Sequence, residues 1–244
     1  MISIVMATYN GEKYLAEQID SILVQTYSDF ELIICDDCST DNTRSILKEY
    51  EQKDKRIKLY FNTTNIGFKK NFEKMLHLCT GEFIAFADQD DVWFKEHIEI
   101  LIKNICNADL IACNAVITDN NLVPMGYTMQ DISGIKKNLT NPDFLFSHEL
   151  YSNMFQGTAC LLRSSLLKVL LPVPDCIAFH DYWSAIIAGT NNGLRYLSEP
   201  ILLYRQHEKQ ITTNKKVSLL NVALSKTLVN IFVNVCLGSI WSKM

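Results

Sequence analysis

Phe83-Ile84-Ala85-Phe86-Ala87 runs directly into Asp88-Gln89-Asp90-Asp91, and this stretch decides the fold. An unbroken apolar run reads as a strand buried on both faces, as in a parallel sheet. Three carboxylates then stand together where that strand leaves its sheet. Like charges this close repel one another and resist losing water. A bound cation relieves both costs. In an extended chain Asp88 and Asp90 fall on one side and Gln89 on the other. Oxygen ligands of this kind suit a hard divalent ion, magnesium or manganese, which keeps positions open for substrate phosphates. The competing reading is a polar loop that caps the next helix, with Asp91 as the cap.

Upstream, Ser3 to Ala7 reads as a strand, and Leu15, Ile19, Ile22 and Leu23 recur at helical spacing. Glu31 to Cys35 is a second strand, followed by the helix-capping run Ser39-Thr40-Asp41-Asn42 and a helix through Ile46 and Leu47. Ile57 to Phe61 is a third strand. Phe72, Met75, Leu76 and Cys79 form another helical stripe, with Gly81 as its stop. Downstream, Phe94, Ile98, Leu101, Ile102 and Ile105 mark a helix, and Leu110 to Val116 a fifth strand. This alternation predicts an α/β fold with a parallel sheet covered on both faces by helices. Such sheets bind ligands at the carboxyl ends of their strands, where Thr8-Tyr9-Asn10, Asp36-Asp37 and Asp88-Asp90 fall. In the second half, Gly126 to Pro142 reads as a loop and Thr158 to Leu162 as a strand. His180-Asp181-Tyr182-Trp183 opens a short helix, and Ile201 to Tyr204 forms a further strand.

The chain has 244 residues and a net charge of -4, which excludes nucleic-acid binding by bulk charge. No signal peptide is expected, because Ile2 to Ala7 is short and no basic segment precedes it. The eight cysteines are scattered, mostly through apolar runs, which suits reduced thiols in a cytoplasmic protein. Cys35-Asp36-Asp37-Cys38 has CxxC spacing, but no second pair follows to complete a zinc site.

Val5-Met6-Ala7-Thr8-Tyr9-Asn10, Cys35-Asp36-Asp37-Cys38-Ser39-Thr40-Asp41, Asn65-Ile66-Gly67, Gly81-Glu82 and Asp88-Gln89-Asp90-Asp91 occur in an order that resembles family 2 glycosyltransferases of the GT-A fold. Asp181 and Tyr204-Arg205-Gln206-His207 extend the resemblance to about residue 210. Asp-Gln-Asp-Asp-Val-Trp is similar to bacterial rhamnosyltransferase-like members. Cys38 stands where the family usually has glycine, so a tight turn there is strained unless its φ stays negative.

The resemblance implies one α/β domain over 1–210, with a donor half at about 1–116 and an acceptor half at about 117–210. It implies an inverting, metal-dependent transfer of a sugar from a nucleotide donor, dTDP-rhamnose or a UDP-hexose, to a glycan or lipid-linked acceptor in surface polysaccharide assembly. Ala7, Thr8, Tyr9, Glu12, Asp37, Asn71, Asp88, Gln89 and Asp90 are then the donor-binding candidates. Asp37 would accept the base N3–H; the other reading makes it a cap of the helix near Asn42. Lys69 and Lys70 read as a solvated helix start. Asp90, with His207, would hold manganese or magnesium, and Asp88 would touch ribose or sugar. Arg205 is an alternative partner for the diphosphate. Asp181, set among Phe179, Tyr182 and Trp183, is the candidate general base, its pKa raised by desolvation; the other reading is a helix cap. Trp183 is a candidate acceptor-stacking residue or a core tryptophan.

From Val217 to Ser242 the only charged side chain is Lys226, and Lys226, Asn230 and Asn234 recur every four residues. The expectation is an amphipathic helix within 211–244 lying on the inner membrane surface or docked on protein. The alternative enzyme, a sugar nucleotidyltransferase, needs a glycine-rich basic loop after the first strand. Thr8-Tyr9-Asn10-Gly11-Glu12 has one glycine and no arginine. A nucleotide-sugar-binding module without turnover is the remaining class.

Overall fold

The computed structural model describes residues 1–133, 145 and 155–208. The tail expected as an amphipathic helix lies outside these residues. Among those described, no helix is long and apolar enough to cross a membrane.

The first half alternates as the periodicity predicts: β1 (Ile2–Thr8), α1 (Leu15–Leu23), β2 (Phe30–Asp36), α2 (Thr43–Lys53), β3 (Ile57–Phe61), α3 (Phe68–Leu76) and β4 (Phe83–Asp88). A two-residue β5 (Val92–Trp93) precedes α4 (His97–Ile105), which leaves Phe94 outside the helix. Then come β6 (Leu110–Thr118), β7 (Pro124–Thr128), α5 (Met129–Ser133), β8 (Cys160–Arg163), α6 (Leu167–Leu170), α7 (His180–Gly189) and β9 (Leu194–Arg205).

These strands form one sheet in the order β3-β2-β1-β4-β8-β6-β9-β5, with β7 on β6. The pairs among β1, β2, β3 and β4 are parallel, but β8 runs antiparallel to both β4 and β6. The expected mostly parallel central sheet is found, with β8 inserted antiparallel within it. The segment expected as loop from Gly126 onward holds the end of β7 and all of α5 up to Ser133. The rest of that segment lies outside the described residues.

Strand alternation divides the core into two layers. Ile4, Met6, Leu32, Ile34, Ala85 and Ala87 face α1, α2 and α4. Val5, Ile33, Cys35, Ile84 and Phe86 face α3 and α7. The central strands are mostly apolar because both faces are covered; the edge strand β3 carries Lys58. Gly81 does not stop α3, which ends at Leu76. It lies where the chain passes beside β1, and a Cβ there would come within 2.5 Å of the Ser3 nitrogen and 2.8 Å of the Ile2 carbonyl carbon. The register matters for function. Thr8 sits opposite Asp36, and Ala7 opposite Asp88. Three polar strand ends thus meet at one edge.

Candidate active site

A single cavity of about 1640 Å³ opens over that edge. Ala7, Thr8, Tyr9, Glu12, Asp37, Asn71, Asp88, Gln89, Asp90, Asp181 and His207, all candidates from the sequence, line it. Residues from both ends of the chain share the wall because β1, β2, β4 and β9 end on the same side.

Asp37 leaves β2 and is buried. Its Oδ1 accepts hydrogen bonds from Asn62 Nδ2 and the Ile66 amide, both at 2.9 Å, and its Oδ2 accepts from the Gly67 amide at 2.8 Å. It shapes the loop before α3 and does not cap α2. Asn71, fully buried, donates to the Cys35 carbonyl at 2.7 Å and accepts from Asn62 at 3.1 Å, which fixes the same corner. Cys38 adopts φ +68°, so the turn is in the left-handed region despite its side chain.

Gln89 and Asp90 lie in the turn after β4, so the alternation expected of an extended chain stops at Asp88, and the Gln89 amide is committed to the first loop. Tyr9 N–H donates to Gln89 Oε1 at 2.9 Å, and Gln89 Nε2 donates to the Tyr9 carbonyl at 3.1 Å. Gly11 leaves room for this clamp: a Cβ there would lie 2.6 Å from Gln89 Cδ. Gln89 therefore positions Tyr9, whose side chain is 47% exposed at the cavity lip. Glu12 Oε2 accepts from the Asn42 amide at 3.0 Å and from Asn42 Nδ2 at 2.7 Å, tying the loop to the start of α2.

Asp88 is half-buried, and its carboxyl is pushed up to about 8, first by burial and then by Asp90 and Asp181. Asp90 Oδ2 lies 2.8 Å from His207 Nε2. The His207 ring packs on Tyr14 with centroids 4.8 Å apart. Asp91 is not a helix cap. It is buried, accepts the Arg205 amide at 3.0 Å, and is pushed up by burial and by Asp90 and Asp88. Arg205 does not face the cavity either. Its guanidinium is buried, donating to the Asp90 carbonyl and the Asn120 carbonyl at 2.7 Å each and pairing with Glu17. It braces the backbone that presents Asp90. The sequence signal for Arg205 was its charge, which does not reveal direction.

Asp181, on the first turn of α7, is 8% exposed. Its Oδ2 accepts the Gly157 amide at 3.0 Å and its Oδ1 the Tyr182 amide at 2.7 Å. Burial pushes its carboxyl up to about 6, and those two amides act the other way. Trp183 is a core residue and not a stacking platform: it is 2% exposed and donates from Nε1 to the Leu170 carbonyl at 2.9 Å. His180, not singled out by sequence, also lines the cavity wall. It stacks on Phe72 at 3.8 Å between centroids, and burial lowers it to about 3. Gln156 and Tyr14 were likewise missed, since no spacing rule connects them to the acidic strand ends.

The donor set fits a divalent cation. Asp90 and His207 already meet, and Asp88 is close enough that, after burial, the Asp90 charge adds to the rise of its carboxyl pKa. Among the described residues no group of three or more histidine, cysteine, aspartate or glutamate side chains is placed to hold a metal ion by itself. An ion that retains water and takes substrate phosphates does not need one.

Residues 3–171 match the model of Glycosyl transferase family 2. The dTDP-rhamnosyl transferase RfbG of Shigella flexneri is 32% identical over 223 residues, covering 83% of this chain and 72% of that protein. The UDP-Glc:alpha-D-GlcNAc-diphosphoundecaprenol beta-1,3-glucosyltransferase WfgD of Escherichia coli is 39% identical over 127 residues, 50% of this chain and 49% of WfgD. The match therefore spans about half the length of that relative. S. aureus TarS 1-349, crystallised with UDP-GlcNAc, superposes with a TM-score of 0.73 at 23% identity, covering 94% of this chain and 65% of TarS. The chain belongs to glycosyl transferase family 2 and has the GT-A fold.

Proposed function

We propose that this chain is an inverting, metal-dependent glycosyltransferase. It moves a sugar from a nucleoside diphosphate donor to a hydroxyl of a glycan or lipid-linked acceptor in surface polysaccharide assembly. The observation that carries the reading is the single cavity shared by Asp37, the Asp90–His207 pair and Asp181. It offers a nucleoside end, a diphosphate corner and a raised carboxylate. Asp37, with Ala7, Thr8 and Tyr9, receives the uracil or thymine nucleoside. Asp88 faces ribose or sugar. Asp90 and His207 hold manganese or magnesium, which when bound stabilises charge on the departing diphosphate. Asp181 takes the proton of the acceptor hydroxyl as that oxygen attacks the anomeric carbon and the bond to the diphosphate breaks. The names of RfbG and WfgD support dTDP-rhamnose or UDP-glucose as donor class, and that of WfgD a lipid-linked acceptor.

Thermal melting with a panel of nucleoside diphosphates, with and without manganese, tests the donor site. A ligand at about 100 times its Kd adds about 2.7 kcal/mol, or roughly 5–10 °C for a chain of this size. The expected result is a manganese-dependent rise with uridine or thymidine diphosphate and none with guanosine or adenosine diphosphate. No rise with any of them overturns the donor assignment.

A further inference from the structure

Lys69 lies on the first turn of α3, in the donor half, yet its ammonium reaches across to the other half of the domain. Nζ donates to the carbonyls of Pro174, Asp175 and Ile177 at 3.3, 3.0 and 3.0 Å. A lysine ammonium has three N–H donors, and three carbonyls take them. Among the described residues no carboxylate pairs with it. A surface lysine normally keeps its rotamer freedom, and fixing it opposes a side-chain entropy loss among the largest of any residue. A tripod of this kind is not the solvated helix start that the sequence suggests.

The segment that it grips leads directly into α7 and Asp181. Its side chains Val173 and Ile177 are buried in the core, but its backbone has few partners of its own. Pro172 and Pro174 have no amide hydrogen. Among the described residues, its backbone amides make one turn bond, from Ile177 N–H to the Pro174 carbonyl at 3.0 Å. Next to Lys69, Phe68 packs against Phe179 at 5.7 Å between centroids and edge-on to His180 at 6.4 Å. At its other side the start of α3 is tied to Asp37 through the Ile66 and Gly67 amides. One short stretch of chain therefore touches the nucleoside end of the cavity and the approach to the base.

We propose that Lys69 is a positioning residue for Asp181. Its ammonium gathers the 174–177 carbonyls and sets where α7 begins, which sets where the carboxylate meets the acceptor hydroxyl. This rests on Asp181 being the general base. A displacement of about 1 Å at a reacting group costs roughly a hundredfold in rate, so loss of the tripod acts on kcat. Asn71 on α3 is held by the Cys35 carbonyl and Asn62, and Asp37 by Asn62 and the Ile66 and Gly67 amides, none of which Lys69 touches, so donor affinity is kept.

The test compares wild type with Lys69→Met and Lys69→Arg as full chains. Donor KM, kcat and the affinity for uridine or thymidine diphosphate with manganese are measured, together with hydrogen exchange of the 176–181 amides. Met removes the charge and all three donors. Arg keeps the charge, but its planar fork does not match a tripod. The expected order of kcat is wild type, then Arg, then Met, with Met down about 10- to 100-fold. Nucleoside diphosphate affinity and donor KM stay within about twofold, and the 176–181 amides exchange faster in Met. A Met variant with kcat within about twofold of wild type overturns the proposal, and so does a parallel fall in kcat and donor affinity. If Met does not fold, Lys69→Gln is read the same way. An inactive wild type overturns the transferase reading instead, and exchange in the variants then decides the tripod alone.

Discussion

Asp181 is held near 6 by burial, so its proton leaves in the range where a general base works at neutral pH. Transfer should therefore fall on the acid side, with an apparent midpoint near pH 6 in kcat/KM. Replacing the carboxylate with Asn should lower kcat by about 10²- to 10⁴-fold. Stability moves the other way. The folded value lies above the ordinary 3.8, so the native state binds this proton more tightly than the unfolded chain does. Its contribution is most favourable below about pH 4 and is lost as pH rises through 6. At pH 7 the ionised Asp181 is a burden, so the stability of Asp181→Asn relative to wild type should shift in the variant's favour by about 1–3 kcal/mol between pH 4 and pH 7, read by calorimetry; comparing the two pH values cancels the constant cost of the backbone amide that meets the Asn nitrogen. Cys38 is a second residue under strain. With φ at +68° it lies where glycine is at ease. Cys38→Gly should add about 0.5–1 kcal/mol in chemical denaturation, after the greater entropy of unfolded glycine is counted. Both residues stood out in the sequence, Asp181 by its apolar neighbours and Cys38 as a departure from glycine. The fate of Trp183 and Arg205 did not. Their side chains are long, and which way they turn depends on neighbours more than ten residues distant: Leu170 for one, and Glu17 and Asn120 for the other.

Elements of the first half followed from periodicity because each obeys one rule throughout. The central strands β1, β2 and β4 are mostly apolar on both faces, and the helices carry one apolar stripe. β8 and β9 were harder to place. The strand expected from Thr158 starts only at Cys160, because Gly157–Ala159 forms a 3-10 turn, and nothing local says that β8 inserts antiparallel between β4 and β6. β9 spans Leu194–Arg205, longer than Ile201 to Tyr204, because its pairing with β6 continues past two irregularities in register. The turn before β4 carries the prediction at this scale. Gly81 is close to the β1 backbone, which cannot yield as a flexible side chain can. Gly81→Ala should therefore destabilise by about 3 kcal/mol in urea unfolding, while surviving folded protein keeps its nucleotide affinity.

At the scale of the whole molecule, Asp90 and His207 come together from sites far apart in sequence. A cation held by both would also tie the end of β4 to the end of β9. Chelation should abolish transfer, and manganese should restore it. His207→Ala should need on the order of tenfold more metal for half-maximal rate, measured by metal titration of the activity. A variant with wild-type metal demand would remove His207 from the metal site.

The sequence by itself determined the layered α/β plan, the polar strand ends and the identity of the acidic residues around the cavity. These depend on local pattern, since burial on two faces and charge at a strand end are written in consecutive residues. Only the tertiary structure decided that Gln89 clamps Tyr9, that Arg205 braces Asp90 from behind, that Trp183 is core, and that Lys69 reaches the approach to Asp181. Each of these is a contact between chain segments remote in sequence. Its partner is chosen by how helices and strands pack, and that choice is made by the whole buried surface rather than by any one stretch of chain.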